Sequence, residues 1–167
     1  MKLNIIETMD ALDSAALMAI YAEGNRENGA WFYPDLSPGE QVKKAESDFL
    51  KYLREDFFPV PGNRYCVLET EAGEWAAALR LSDKGDYLWL EALETRPDLR
   101  RRGYGKAILR EVLSETRREI RDQVSRKNQP SLRTHFAAGF TILEDPARDP
   151  DTGEIVERCV TMSGKMQ

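Results

Sequence analysis

The chain has 167 residues, 41% of them hydrophobic and 32% charged. This balance suits one domain with its own core and excludes a wholly disordered chain. The formal net charge of −5 by itself argues against a nucleic-acid partner, but it averages over three blocks. Residues 1–95 carry net −9, residues 96–134 net +7 and residues 135–167 net −3. One basic block between acidic flanks points to a local anionic partner.

In chain order, Leu3–Ile6 reads as a short strand, with Thr8 or Asp10 able to cap the helix that follows. Leu12, Ala16, Leu17 and Ile20 recur at helical spacing and give that helix one apolar face. Residues 24–39 read as a loop rich in Asn, Gly and Pro, carrying Trp31, Phe32 and Tyr33 in succession. A second helix is predicted over 37–58, with Pro38 in its first turn and Phe49, Leu50, Leu53 and Phe57 on its apolar side. Strands are predicted at 64–69, 75–81 and 87–95, and their short connections imply an antiparallel meander. A long amphipathic helix over 104–119 follows, with Ile108, Leu109, Val112 and Leu113 on one stripe. A brief strand at 123–127, a helix at 130–138 and a final hairpin of 139–143 with 155–163 complete the chain. The fold class is mixed α/β (α+β): a single, mostly antiparallel sheet flanked by helices, with 1–167 as one domain.

Several function classes drop out. No run of about 18 apolar residues exists to span a membrane, and Glu7, Asp10 and Asp13 interrupt any apolar leader. Two separated cysteines, Cys66 and Cys159, with a single histidine fit buried thiols of a cytoplasmic protein better than a structural metal site.

The segment Leu93-Glu94-Thr95-Arg96-Pro97-Asp98-Leu99-Arg100-Arg101-Arg102-Gly103-Tyr104-Gly105-Lys106 carries the most chemistry. A strand ends at a proline, a basic loop turns, and a helix starts at two glycines. Glycines allow close approach of the backbone, and helix-start amides, the macrodipole and the arginines together favour an anion such as a pyrophosphate. A Walker A loop would need Gly at 100 and Ser or Thr at 107, where Arg100 and Ala107 stand; a dinucleotide fingerprint would need a small residue at Ile108.

The pattern Arg100-x-x-Gly103-x-Gly105 behind a strand and proline resembles the GNAT superfamily of N-acetyltransferases. The resemblance continues through Val124, Asn128, Ser131, His135 and Gly139-Phe140 and through the order of elements. It implies a GNAT-type fold with acetyl-CoA as cosubstrate. By resemblance, the loop Arg100, Arg101, Arg102, Gly103, Tyr104, Gly105, Lys106 holds the CoA pyrophosphate. The strand edge Leu93, Glu94, Thr95 pairs with the pantetheine arm, much as a peptide adds to a sheet, and Asn128 contacts the cofactor or braces the strands.

Acetyl transfer needs a group to take the amine proton and a way to stabilise the departing charge. Glu91 and Glu94 are the candidate bases. Strict alternation puts them on opposite faces, and a bulge in the strand, common in the family, would exchange the faces. His135 stands where many family members carry a Tyr acid, and as an imidazole it could donate near neutral pH. Trp31, Phe32 and Tyr33 border the expected acceptor side, where aromatics in an acidic surround would suit a cationic amine. They could equally anchor their loop in the core. The resulting expectation is a cytoplasmic, metal-free acetyl-CoA-dependent N-acetyltransferase acting on a small-molecule amine, with no nucleic-acid or membrane partner. Apolar strands at the chain's end could pair in a homodimer. The alternative is a non-catalytic CoA-binding sensor of the same fold.

Overall fold

The computed structural model describes residues 1–166. Seven strands form one sheet in the order β1-β2-β3-β4-β5-β9-β6: β1 Lys2–Ile6, β2 Arg64–Glu69, β3 Trp75–Asp83, β4 Leu88–Thr95, β5 Ile120–Ser125, β6 Thr141–Glu144 and β9 Cys159–Gly164. All neighbours are antiparallel except β4 and β5. A two-residue ribbon, β7 Ala147–Arg148 with β8 Ile155–Val156, lies apart from it. The Asp149–Gly153 loop therefore closes this ribbon, while β6 and β9 pair across it rather than as a simple hairpin.

The helices are α1 Ser14–Ile20, α2 Ala22–Phe32, α3 Pro38–Tyr52, α4 Tyr104–Thr116 and α5 Gln129–Ala137. Their starts follow from local chemistry. Asp13 accepts from the Ala16 amide at 3.0 Å, and Ser37 and Glu40 form a reciprocal capping box ahead of Pro38. One sheet face, carrying Tyr65, Val67 and Ala78, packs against Leu17, Ile20, Leu53 and Phe57 of the N-terminal helices. The other face, carrying Leu68, Leu79, Leu81 and Leu90, packs against Ile108, Leu109 and Val112 of α4. Each face buries its apolar alternation, which is the main source of stability.

Besides β5, which spans Ile120–Ser125 rather than the expected 123–127, three boundaries differ from the sequence expectation. The predicted loop over 24–39 is largely α2. Gly24, Asn25, Asn28 and Gly29 are poor helix formers, but a Cβ at Gly29 would lie 2.4 Å from the Gln41 carbonyl oxygen, so glycine there lets α2 and α3 touch. Tertiary packing overrides propensity. The helix over 37–58 ends its α-helical part at Tyr52 and closes with a π turn over Leu53–Phe57. The helix over 104–119 stops at Thr116, because Arg117 turns left-handed at φ 52°.

Candidate active site

The site is a fork in the sheet. β4 and β5 pair only at Leu88–Ile120 and Trp89–Arg121, while β5 stays paired to β9 along its whole length. Beyond Trp89 the two strands part, and the edge of β4 facing β5 lacks a strand partner from residue 90 to 95. The gap is a cleft of 340 Å³ lined by Trp89–Leu93, Asp122–Ser125, Asn128 and Ser131.

β4 is also bulged. Ala78 lies opposite Glu94 and Arg80 opposite Glu91, so two steps along β3 match three along β4. The extra residue falls at Ala92, whose φ of 54° is left-handed. Tyr21, at the α1–α2 junction, donates its hydroxyl to the Ala92 carbonyl at 2.5 Å. Burial holds the Tyr21 phenol well above its usual range, so it remains a donor. The bulge changes the assignment of faces. Directly opposed residues share a face, and Arg80 and Ala78 both face the N-terminal helices, so Glu91 and Glu94 do too. Strict alternation would have separated them.

A second, more apolar cavity of 780 Å³ lies on that face, lined by Tyr21, Asn25, Asn28, Phe32, Tyr33, Asp48, Phe49, Tyr52 and Arg80. It shares one wall with the cleft, Ala92. Of the three consecutive aromatics, Phe32 and Tyr33 border this cavity. Trp31 does not, and stands 80% exposed at the end of α2. The Tyr33 hydroxyl is fixed by a hydrogen bond to Asp48.

At the open end of the fork, Pro97–Leu99 makes one 3-10 turn with Leu99 buried, and Arg101–Gly103 are exposed. Arg101 and Gly103 are left-handed, at φ 62° and 85°, and no side chain caps α4. Left-handed residues next to an uncapped helix start are a backbone geometry suited to an anion. A Cβ on Gly105 would sit 3.3 Å from Thr134 Cγ2 and 3.6 Å from Thr95 Oγ1, so glycine lets α4 close onto β4 and α5. Arg100 departs from a free phosphate ligand. Its guanidinium bridges Glu23 at 2.6 Å and Glu94 at 3.1 Å, tying α2 to β4. Burial, partly offset by Arg100, pushes the Glu94 carboxyl above its usual range.

His135 is 1% exposed and does not reach the cleft. Its Nδ1 faces the Ser131 carbonyl at 2.8 Å and its Nε2 the Asp122 carboxylate at 2.8 Å. Burial opposes the imidazolium, but the Asp122 hydrogen bond and charge prevail and raise its pKa. Asp122 is the first β5 residue past the last paired rung. It is 5% exposed, and its Oδ1 is buried without a partner. A polar residue in the inward alternation Ile120-x-Asp122-x-Val124 was the signal that could have found it. Asn128 lines the cleft and caps α5 through the Ser131 amide at 3.2 Å. Cys66 is buried and its thiol is pushed up to about 12 by that burial, which makes it a poor nucleophile.

A cofactor of the CoA type fits three features of this site: the unpaired β4 edge, the uncapped start of α4 with its turned amides, and the orphaned Asp122 oxygen at the fork. No curated protein matches the chain. Among solved structures it is similar to a spermidine N-acetyltransferase from Vibrio cholerae in complex with CoA and spermine: 16% identity, 96% of this chain and 94% of that one, TM-score 0.60. It is also similar to the Campylobacter jejuni N-acetyltransferase PseH in complex with acetyl coenzyme A: 12% identity, 99% and 100% covered, TM-score 0.61. A nourseothricin acetyltransferase matches at 25% identity over 62% of this chain with TM-score 0.47, and the chain spans only 65% of it. The first two likenesses share the fold described above. The family model for the GNAT acetyltransferases matches residues 27–140, and the chain belongs to that family.

Proposed function

We propose that the protein transfers an acetyl group from acetyl-CoA to a primary amine of a small molecule, by direct attack in a ternary complex. The observation that carries this reading is the shared wall at Ala92. A cleft suited to a thioester and a separate cavity suited to an acceptor meet at one strained strand residue.

Acetyl-CoA supplies the activated acyl group as a thioester. The chain's own residues then do four things. Arg101–Lys106 and the start of α4 hold the pyrophosphate. The free edge of Leu93–Thr95 pairs with the pantetheine amides, which places the reactive end near the bulge. Glu91 and Glu94, flanking that bulge on the acceptor face, are the groups that take the amine proton as nitrogen bonds to the carbonyl carbon. The carbon–sulfur bond then breaks, its electron pair leaves with sulfur as a thiolate, and that thiolate takes up, through solvent, the proton the amine gave to the carboxylate. His135 takes no direct part in these steps; it is a positioning residue that holds the Asp122 carboxylate at the fork.

The test is an amine panel read by thiol release, with Glu91→Gln and Glu94→Gln alongside. Amine-dependent release, cut sharply by one of the two variants, is the expected result. A wild-type protein that binds no acetyl-CoA by calorimetry overturns the reading.

A further inference from the structure

The acceptor cavity holds one charged group that the fold leaves incompletely paired. Arg80 of β3 lies on the cavity wall one strand over from the bulge, with its side chain only 14% exposed. Its guanidinium carbon sits 5.2 Å from the Tyr52 ring centroid and 5.9 Å from that of Phe49. Its Nε is buried without a partner, and the nearest carboxylate oxygen, on Glu91, is 3.5 Å away, beyond ordinary hydrogen-bond length. A mostly buried guanidinium has five N–H donors to satisfy. Burying one of them unpaired, as at Nε, is costly, and such groups in native proteins call for a specific account.

We propose that Arg80 binds the carboxylate of the acceptor, so that the substrate is an amine with a carboxylate one or two carbons away and an apolar side chain. This rests on the transferase reading above. Guanidinium and carboxylate match in a planar, two-pronged geometry. Arg80 is the cross-strand partner of Glu91, the residue before Ala92. A carboxylate on Arg80 therefore sits on the sheet face that Glu91 shares, beside the bulge. The aromatic wall of Phe49 and Tyr52 takes the apolar side chain. The other charged lining residue, Asp48, is 45% exposed and already engaged by Tyr33 and Lys44. A buried cation next to the reaction point opposes a polyamine, whose second ammonium would be desolvated beside it.

The experiment uses pairs that differ only in the carboxylate: L-phenylalanine with 2-phenylethylamine, L-leucine with 3-methylbutylamine, and spermidine as a polyamine. The wild-type protein is expected to favour the acid of at least one pair in kcat/KM by about 10- to 100-fold, the range of a charge-assisted hydrogen-bonded pair. Arg80→Met should close that gap chiefly through KM, and Arg80→Lys should restore part of it. Equal or better turnover of the decarboxylated partners, preference for spermidine, or equal loss on both members of a pair in Arg80→Met overturns the proposal. So does a protein that binds acetyl-CoA yet neither acetylates nor binds any of the acids. The wild-type comparison stands even if a variant does not fold. Absence of acetyl-CoA binding instead strikes the transferase reading itself, and calorimetry without any amine tells the two failures apart.

Discussion

The two sides of the fork are built in different ways. The cofactor side is mostly backbone: a free strand edge, turned amides at Arg101 and Gly103, and an uncapped helix start, all within residues 91–106. The proposed acceptor side is made of residues from the α1–α2 junction, α2, α3, β3 and β4, up to 71 residues apart in the Tyr21–Ala92 contact. Backbone geometry is tolerant of side-chain identity and leaves a short motif, whereas a cavity of convergent side chains leaves none. On the proposed reading, the cofactor side therefore sets the reaction class and the acceptor side the substrate.

The largest effect should come from the carboxylates at the junction of the two sides. Replacing the one that takes the amine proton, Glu91 or Glu94, by Gln should lower kcat by about 10² to 10⁴, and the other by less than about tenfold. Glu94 has a raised pKa and must be ionised to accept a proton. If it is the base, activity falls as pH drops through that raised value, and Glu94→Gln removes this acidic limb from the kcat/KM profile. Next, Gly105→Val should weaken acetyl-CoA binding on the order of 100-fold by calorimetry, because branched atoms beyond the Cβ collide with Thr134 and Thr95. Any affinity for acceptor amines should change far less, since that side is built separately.

Tyr21→Phe sharpens the comparison, because Tyr21 belongs to the acceptor side but holds a carbonyl of the cofactor strand. Losing that bond should cost about 1 kcal/mol of stability and roughly tenfold in kcat, with acetyl-CoA affinity little altered. An unchanged kcat would mean that the bulge holds itself. The smallest effect concerns His135. Its folded pKa is raised, so its contribution is fully present below the ordinary histidine value and is lost as pH rises through the folded value. The thermal midpoint of the wild type should fall over that alkaline window, and His135→Gln should lack this component of the fall.

The same contrast explains what could be read in the sequence. The strand–proline–basic loop–glycine motif and the apolar alternation of β2–β4 are local, and they gave the fold class and the cofactor loop. The bulge at Ala92 was not visible as a residue type, yet it decides that Glu91 and Glu94 share a face. Helix α2 was hidden by its glycines, of which Gly29 serves packing against Gln41 rather than a turn. Arg80 is a lone charge in the apolar run of β3, and Asp122 is a polar residue on the inward side of β5. Each gains meaning only from partners on other elements.

Hydrogen exchange on the wild-type protein with and without acetyl-CoA, read peptide by peptide, tests the central claim most directly. The account predicts that the cofactor slows exchange of the β4 amides within residues 91–95 and of the loop and helix start within 101–106, and leaves β2 unchanged. Binding that leaves both segments as they were, or no binding at all, would contradict it.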